Sequence, residues 1–477
     1  MQVPRTVVVV PSLSLHAEEL VKISGVHHYE ERMLCLLMLL RMPRTRVVDV
    51  TSQPIAPTII DYYLHLLPGI PTSHARQRLT MLSCHDASRV PLTKKILERP
   101  RLLRRIRNEL TGCQYGHLTC FNATPLERAL ALALNLPLYA TDPALAHLGT
   151  KSGGREVFRA AGVAMPDGFE NLRDDTDLVA ALAALKQRHP ALRKAVVKLN
   201  DGFSGEGNAL FSYAGCPSGA DCLTWVKRVL PRRLRFEAAS EAWKHYRGKF
   251  AEMGGIAEVF LEGANKRSPS AQCRITPLGR ADAISTHDQV LGGPSGQVFL
   301  GCTFPADEAY RLAIQEAGMR AAEVLRQRGV VGRVGVDFIS VPRADGGWDH
   351  YAIEINLRKG GTTHPFLMLQ FLIDGRYDPA SGCYYTPGGQ SRYYYASDNL
   401  QHEAYKGLTP EDLIDIAVYH DLHFHGATQQ GVVFHLIGAL SEFGKLGVLC
   451  IGDSPEGART LYRHTVEVLN KEAVRDA

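Results

Sequence analysis

Two acids, an amide and a guanidinium lie close together at Asp337, Glu354, Asn356 and Arg358. Residues 334–339 (VGVDFI) alternate and are β-branched, as a strand requires, and 351–357 (YAIEINL) read as a second strand. Turn-forming residues 342–347 (PRADGG) between them predict a hairpin. Side chains two apart on a strand share a face. Glu354, Asn356 and Arg358 therefore point one way, and pairing brings Asp337 beside them. Two carboxylates and an amide oxygen suit Mg²⁺ held together with nucleotide phosphates. Arg358 closes that row and can steady charge on a transferred phosphoryl group or a tetrahedral centre. The competing reading is a solvated hairpin with one polar face, because D…ExN alone is a weak pattern.

A second set of residues suits phosphate. The run 195–198 (AVVK) reads as a strand ending in Lys198, followed by Gly202, Ser204, Gly205 and Gly207 before another strand. Glycines let backbone N–H groups approach phosphate oxygens closely, and Lys198 adds a positive charge for the same oxygens. The lysine precedes the glycines and no GK[ST] follows, so this is not a Walker loop. A hairpin tip is the plain alternative. Lys151 stands before a predicted helix; alone it reads as a surface lysine.

The elements that must position these residues follow an α/β rhythm. Residues 6–10 and 46–51 read as strands around a helix at 29–40, without a glycine-rich dinucleotide turn after the first strand. A strand and a basic helix fill 80–110, and 123–136 is helical. A shift to Pro, Gly and Thr near 141–150 marks a boundary. Helices are expected at 155–162 and 177–188, strand–loop–strand over 194–213, and two basic helices within 221–253. A strand at 255–262 and a long helix at 307–328 precede the hairpin. An aromatic, turn-rich stretch at 375–399 separates a last unit of helix, two strands and helix. The expected division is 1–145, 146–383 with a lid near 190–262, and 384–477.

At 477 residues the chain is long enough for roughly three domains. Net charge is only +5, which does not argue for nucleic acid, and the basic stretch from Lys94 to Arg107 reads first as a solvated helical face. The ten cysteines include no CxxC pair, which fits a reducing, cytoplasmic setting without disulfides or structural zinc. The apolar runs 7–10 and 33–40 are too short to cross a bilayer, so no membrane partner is expected.

Taken in order, Lys151, Lys198 with its glycine loop, residues 256–263 (IAEVFLEG) and D…ExN resemble an ATP-grasp ligase. Residues 197–209 (VKLNDGFSGEGNA) and 354–365 (EINLRKGGTTHP) are similar to the pheganomycin-type peptide ligases. So are 29–32 (YEER) and 434–447 (FHLIGALSEFGKLG), so the likeness covers nearly the whole chain. It implies an ATP-grasp fold between a Rossmann-like pre-ATP-grasp domain and a small α+β C-terminal domain. It also implies an ADP-forming enzyme that activates an amino-acid-like carboxylate as an acyl-phosphate. The amine of an amino acid or a peptide N-terminus then takes the acyl group. ATP and Mg²⁺ are the implied cofactors, with Mn²⁺ able to replace the metal, and a homodimer is compatible. Secondary metabolite biosynthesis is the implied setting.

The resemblance assigns nucleotide contacts to Lys151, Lys198, Gly202, Ser204, Gly205, Glu258, Phe260, Leu261 and Glu262, with the ribose acid open between Glu262 and Asn265. It assigns the metal to Asp337, Glu354 and Asn356, and catalysis to Arg358, Arg274 and Lys198. Arg274, Gly360, Gly361, Thr362 and Thr363 are expected to meet substrate, and His364 is a candidate general base. Two alternatives stay open: a ligase using another amine, and a non-catalytic ATP-binding scaffold, which would not need both lysines, all three metal ligands and Arg358. His420, His423 and His425 read as packing or surface residues, with Asp421 pointing away. Tyr384, Tyr385 and Tyr393–Tyr395 either wall a pocket or pack a domain boundary, and the basic helices of 221–253 are lid surface or a track for an acidic peptide.

Overall fold

The computed structural model describes residues 3–14, 20, 25–202, 207–217, 219, 221–238, 241–292 and 298–475. Among these, three sheets form. The first is parallel, in the order Leu79–Ser83, Thr45–Thr51, Arg5–Val10, Tyr115–Cys120. Val7 to Val10 are all buried, as a central parallel strand covered on both faces requires. The expected helix at 29–40 runs from Val26 to Arg41 with 3-10 rather than α hydrogen bonding. A capping box of Thr124 and Glu127 starts the helix Pro125–Leu134.

The second sheet is antiparallel: Gly168–Leu172, Gly255–Val259, Lys194–Leu199, Asn208–Ser212, Leu234–Phe236. The helices Asp175–Arg188 and Asp221–Arg233 cover it, packing Leu182 and Val226 against Val197 and Phe211. This separate small core lets the sheet behave as one body over the site.

The third and largest sheet carries the hairpin Gly332–Pro342 and Trp348–Asn356 at one edge. Next come Pro269–Ile275, Ala281–Gly292 and Val298–Phe304. The stretch 375–399, expected to be turn-rich, instead continues this sheet as Arg376–Asp378, Cys383–Tyr385 and Ser391–Gln401. The expected division at 383/384 thus falls inside a strand. Lys445–Gly452 pairs with Ser391–Gln401 and Gly431–His435, so the C-terminal segment shares the sheet that carries the hairpin. Tyr384 and Tyr394 are fully buried there, Tyr394 stacked on Phe304 at 5.2 Å and bonded to His287 at 2.6 Å. Among the described residues no helix is long and apolar enough to cross a membrane.

Candidate active site

The hairpin register sets Asp337 opposite Glu354 and Gly335 opposite Asn356, with a bulge just after Asp337. Asn356 Nδ2 donates to one Asp337 oxygen at 2.9 Å, and Gln289 Nε2 donates to the other at 3.0 Å. Lys151 Nζ lies 2.5 Å from Glu354, which brings the first lysine to the same spot from another element.

Asn200 makes that meeting possible. Lys151 opens the helix Lys151–Ala160, whose N-cap Thr150 accepts the Gly153 N–H at 3.0 Å. Asn200, just beyond the Lys198 strand, accepts the Lys151 N–H on its carbonyl (3.1 Å) and the Ser152 N–H on its side chain (3.0 Å). Its Nδ2 donates to Met253 O at 2.9 Å. One side chain thus ties the Lys151 helix to the sheet that carries Lys198. Lys198 in turn bonds Glu258 at 2.6 Å, and Arg155 holds the other Glu258 oxygen at 3.0 Å. Lys198, Arg155 and Glu258 are all buried.

Burial and the neighbouring Glu354 charge raise the Asp337 pKa against the pull of Lys151 and Arg358. Burial, the largest single influence, would raise Glu354, but Lys151, Arg358 and Lys198 together outweigh it and lower the carboxyl below its ordinary range. Two carboxylates are thus opposed across a hairpin, in a site where burial penalises their charge. With the Asn356 oxygen beside them in the same cleft, they form an all-oxygen donor set that fits a hard cation such as Mg²⁺.

A cleft of about 750 Å³ runs along the hairpin. Val196, Phe260, Leu261, Ile339 and Ile353 give an apolar wall, and Lys151, Lys198, Gly202, Glu258, Asp337, Glu354 and Asn356 line the middle. Arg358, Gly360, Gly361 and Thr362 continue it. Gly361 packs so close that a Cβ would fall 2.6 Å from the Phe299 ring. Thr363 Oγ1 accepts the Gly360 N–H at 3.0 Å, which shapes the turn, and Thr363 itself is buried. Lys359 turns away to bond Thr119 Oγ1 at 3.0 Å, fastening this turn to the first sheet.

Several expected site residues sit elsewhere. Arg274 is two positions past Gln272, the last residue of its strand to line the cleft, and pairs with Asp282 at 3.1 Å on an exposed hairpin end. Alternation placed it on a plausible face but too far along the strand. Glu262 pairs with Arg193 outside the cleft lining, and Asn265 is exposed. Lys266 takes the place beside Phe260, its ammonium 4.5 Å from the ring centroid and bonded to Leu261 O at 2.7 Å. Ser204 and Gly205 lie outside the described residues. His364 does not suit a general base. It is buried against His435 at 4.1 Å between ring centroids, bonds Tyr63 at 3.2 Å, and burial drives its pKa down to about 3. Asp421, expected to point away, pairs with His425 at 3.0 Å because it leaves its helix in a left-handed conformation; His420 pairs instead with Glu472 at 3.0 Å.

The sequence also hid the far end of the cleft, lined by Tyr29, Arg32, Asp398, Asn399 and Lys445. Each residue of the segment 29–32 docks on a different partner. Tyr29 OH accepts from Lys445 at 2.6 Å, and Glu30 accepts from the Ser52 N–H and hydroxyl, both at 2.6 Å. Glu31 accepts the Gly438 N–H at 3.1 Å, and Arg32 pairs with Asp398. A Cβ at Gly438 would fall 2.2 Å from Glu31 Oε1, so a side chain there would push the Glu31 carboxylate out of place. These contacts make 29–32 and 434–447, far apart in the chain, parts of one junction.

A family model described as "IQCH-like, ATP-grasp" matches residues 143–235 and 232–379, and one described as "PGM1 C-terminal domain" matches 412–465. The chain is 33% identical over 437 residues to the L-propargylglycine–L-glutamate ligase of Streptantibioticus cattleyicolor, covering 90% of this chain and 86% of that protein. It is 23% identical to the IQ motif-containing protein H of Danio rerio, over 98% of this chain and 48% of that longer protein. Among solved structures, N5-carboxyaminoimidazole synthetase of Staphylococcus aureus with ADP aligns at TM-score 0.52 and 11% identity, over 98% of both chains. Biotin carboxylase of Campylobacter jejuni aligns at TM-score 0.55 and 12% identity, over 96% of this chain and 90% of that one. The two solved structures share the fold, while the bacterial ligase shares sequence across nine-tenths of the chain. The chain belongs to the ATP-grasp carboxylate–amine ligases, in the pheganomycin-type peptide ligase branch, and is an ATP-dependent ligase.

Proposed function

We propose that the protein joins the carboxylate of one amino-acid-like substrate to the amine of an amino acid or a peptide N-terminus, through an acyl-phosphate. The observation that carries this reading is that Lys151, Lys198, Asp337, Glu354, Asn356 and Arg358 line one cleft, continuous with the turn at Gly360 to Thr362. Such a cleft serves a nucleotide and a second small molecule together.

In this reading Phe260, Leu261, Ile339 and Ile353 enclose the adenine, and Lys151 and Lys198 hold phosphate oxygens. A divalent cation bound by Asp337, Glu354 and Asn356 would neutralise phosphate charge during transfer. With phosphate bound, Lys151 would exchange Glu354 for a phosphate oxygen, and Lys198 would gain a partner beyond Glu258. A donor carboxylate oxygen attacks the γ-phosphorus and ADP leaves. The acceptor amine, having shed its proton, then attacks the acyl carbon and phosphate leaves. Arg358 faces the charge that develops on the acyl oxygen. The sheet bearing Lys198 covers the cleft and keeps water from the acyl-phosphate. The names of the bacterial relative's substrates make L-glutamate and small L-amino acids the first substrates to try.

The test is ADP release from purified protein with Mg-ATP across a panel of free amino acids, with hydroxylamine present. Donor-dependent ADP with a matching hydroxamate is expected. AMP in place of ADP would overturn the acyl-phosphate route.

A further inference from the structure

Arg32 and Asp398 face each other at the far end of the cleft, held by elements 366 residues apart in sequence. Both side chains are mostly buried, 17% and 12% exposed. The Arg32 guanidinium lies 4.2 Å from the Tyr29 ring centroid, which fixes its plane. Arg32 Nε is buried and has no hydrogen-bond partner among the described residues. A buried guanidinium N–H left without a protein acceptor is costly in a folded protein and is met by an ordered water or a ligand. Lys445 adds a second cation, bonded through its Nζ to the Tyr29 hydroxyl at 2.6 Å. The group Arg32, Lys445 and Asp398 therefore carries two positive charges and one negative, all lining the cleft.

We infer that this group is a clamp for the free α-amino acid that serves as acceptor, an inference that rests on the ligase reading above. A zwitterion meets charges of both signs there, its carboxylate facing the two cations and its ammonium the one anion. The ligand's carboxylate takes the Nε and Nη2 edge of Arg32, a planar fork suited to two parallel hydrogen bonds, displacing Asp398 from Nη2, with Lys445 in support. Its ammonium meets Asp398. Until the amino acid arrives, Arg32 and Asp398 satisfy each other, which keeps both ordered. The acceptor rather than the donor fits because its carboxylate does not react and can stay on a fixed cation. A donor carboxylate must instead reach the phosphate held beside Lys151 and Lys198.

The experiment measures ligation kinetics with each acceptor supplied as the free acid and as its α-carboxamide, in wild type, Arg32→Met, Arg32→Lys and Asp398→Asn. Wild type is expected to prefer the free acid by roughly 10- to 100-fold in kcat/KM, the range of a charged hydrogen bond. Arg32→Met abolishes that preference and Arg32→Lys keeps part of it. Asp398→Asn lowers kcat/KM for acid and amide alike. The KM for ATP reports that each variant is folded. Equal use of acid and amide by wild type overturns the clamp, as does a preference that survives Arg32→Met. Hydroxamate formation without acceptor reads the donor half-reaction, and a fall there matching the fall in ligation overturns the acceptor assignment. Absence of any donor-dependent hydroxamate from wild type is a different failure, that of the ligase reading itself.

Discussion

Replacing Glu258 by glutamine removes the anion that Lys198 and Arg155 share, and the loss falls unequally. Arg155 retains Glu170 at 3.1 Å and the Pro166 carbonyl at 2.9 Å. Lys198 is left buried, with no other salt-bridge partner among the described residues. Removing one member of a buried pair costs about 3–5 kcal/mol, because the remaining charge stays out of water. For a folding unit of this size each kcal/mol shifts the midpoint by roughly 2–4 °C. Glu258→Gln is therefore expected to melt about 6–20 °C below wild type without nucleotide. Mg-ATP should restore more of that loss than it adds to wild type, since phosphate oxygens give Lys198 a new anion. Thermal melts of both proteins with and without Mg-ATP measure both effects. A shift under about 2 °C, or a nucleotide increment equal to that of wild type, would refute the claim that Glu258 holds Lys198 ready for phosphate.

Asp49 offers a pH test, because both its oxygens are buried without a hydrogen-bond partner among the described residues. Burial and then the Glu30 charge push its pKa up to about 8. The folded state thus binds a proton that the unfolded chain releases above its ordinary pKa, so stability falls as pH rises from about 4 to 8. Asp49→Asn should be more stable by about 1–3 kcal/mol at pH 7 and less pH-dependent, as urea unfolding at pH 5 and pH 8 would report. Gly361→Ala should cut kcat/KM at least ~10-fold because its Cβ would meet Phe299, whereas Gly360→Ala, whose nearest neighbour would be 3.8 Å away, should stay within ~3-fold. Asn200→Ala removes the side-chain bonds to the Ser152 N–H and the Met253 carbonyl, leaving the backbone bond to Lys151, and should cost about 1–3 kcal/mol in a melt. Glu354→Gln should lower kcat by more than ~100-fold while changing ATP affinity far less; unaltered turnover would defeat the metal assignment.

Local periodicity made the centre of the site legible. Asp337, Glu354 and Asn356 sit on two adjacent strands, where a period of two and one turn fix who faces whom. Lys151 and Lys198 gained meaning from their order before that hairpin, although Asn200, which ties their elements together, gave no signal of its own. Arg274 shows what alternation cannot say, since it gives the face of a strand but not the distance from the pocket. The stretch 375–399 read as a separator because glycines and prolines surround its tyrosines, which could wall a pocket or pack a boundary, yet pairing of Tyr393 to Tyr395 with Lys445–Gly452 draws it into the largest sheet. Arg32, Asp398 and Lys445 come from three separated segments. The segments 29–32 and 434–447 were visible as patterns, but their shared purpose appears only once Glu31 meets Gly438 and Arg32 meets Asp398.

The most direct test of the central claim follows an oxygen atom. A donor amino acid carrying oxygen-18 in its carboxylate, ligated with Mg-ATP, should transfer one labelled oxygen to inorganic phosphate, seen as an isotope shift in the phosphorus NMR spectrum. That result requires a bond between the carboxylate and the γ-phosphorus. Label recovered in AMP, or phosphate free of label after complete turnover, would contradict the account.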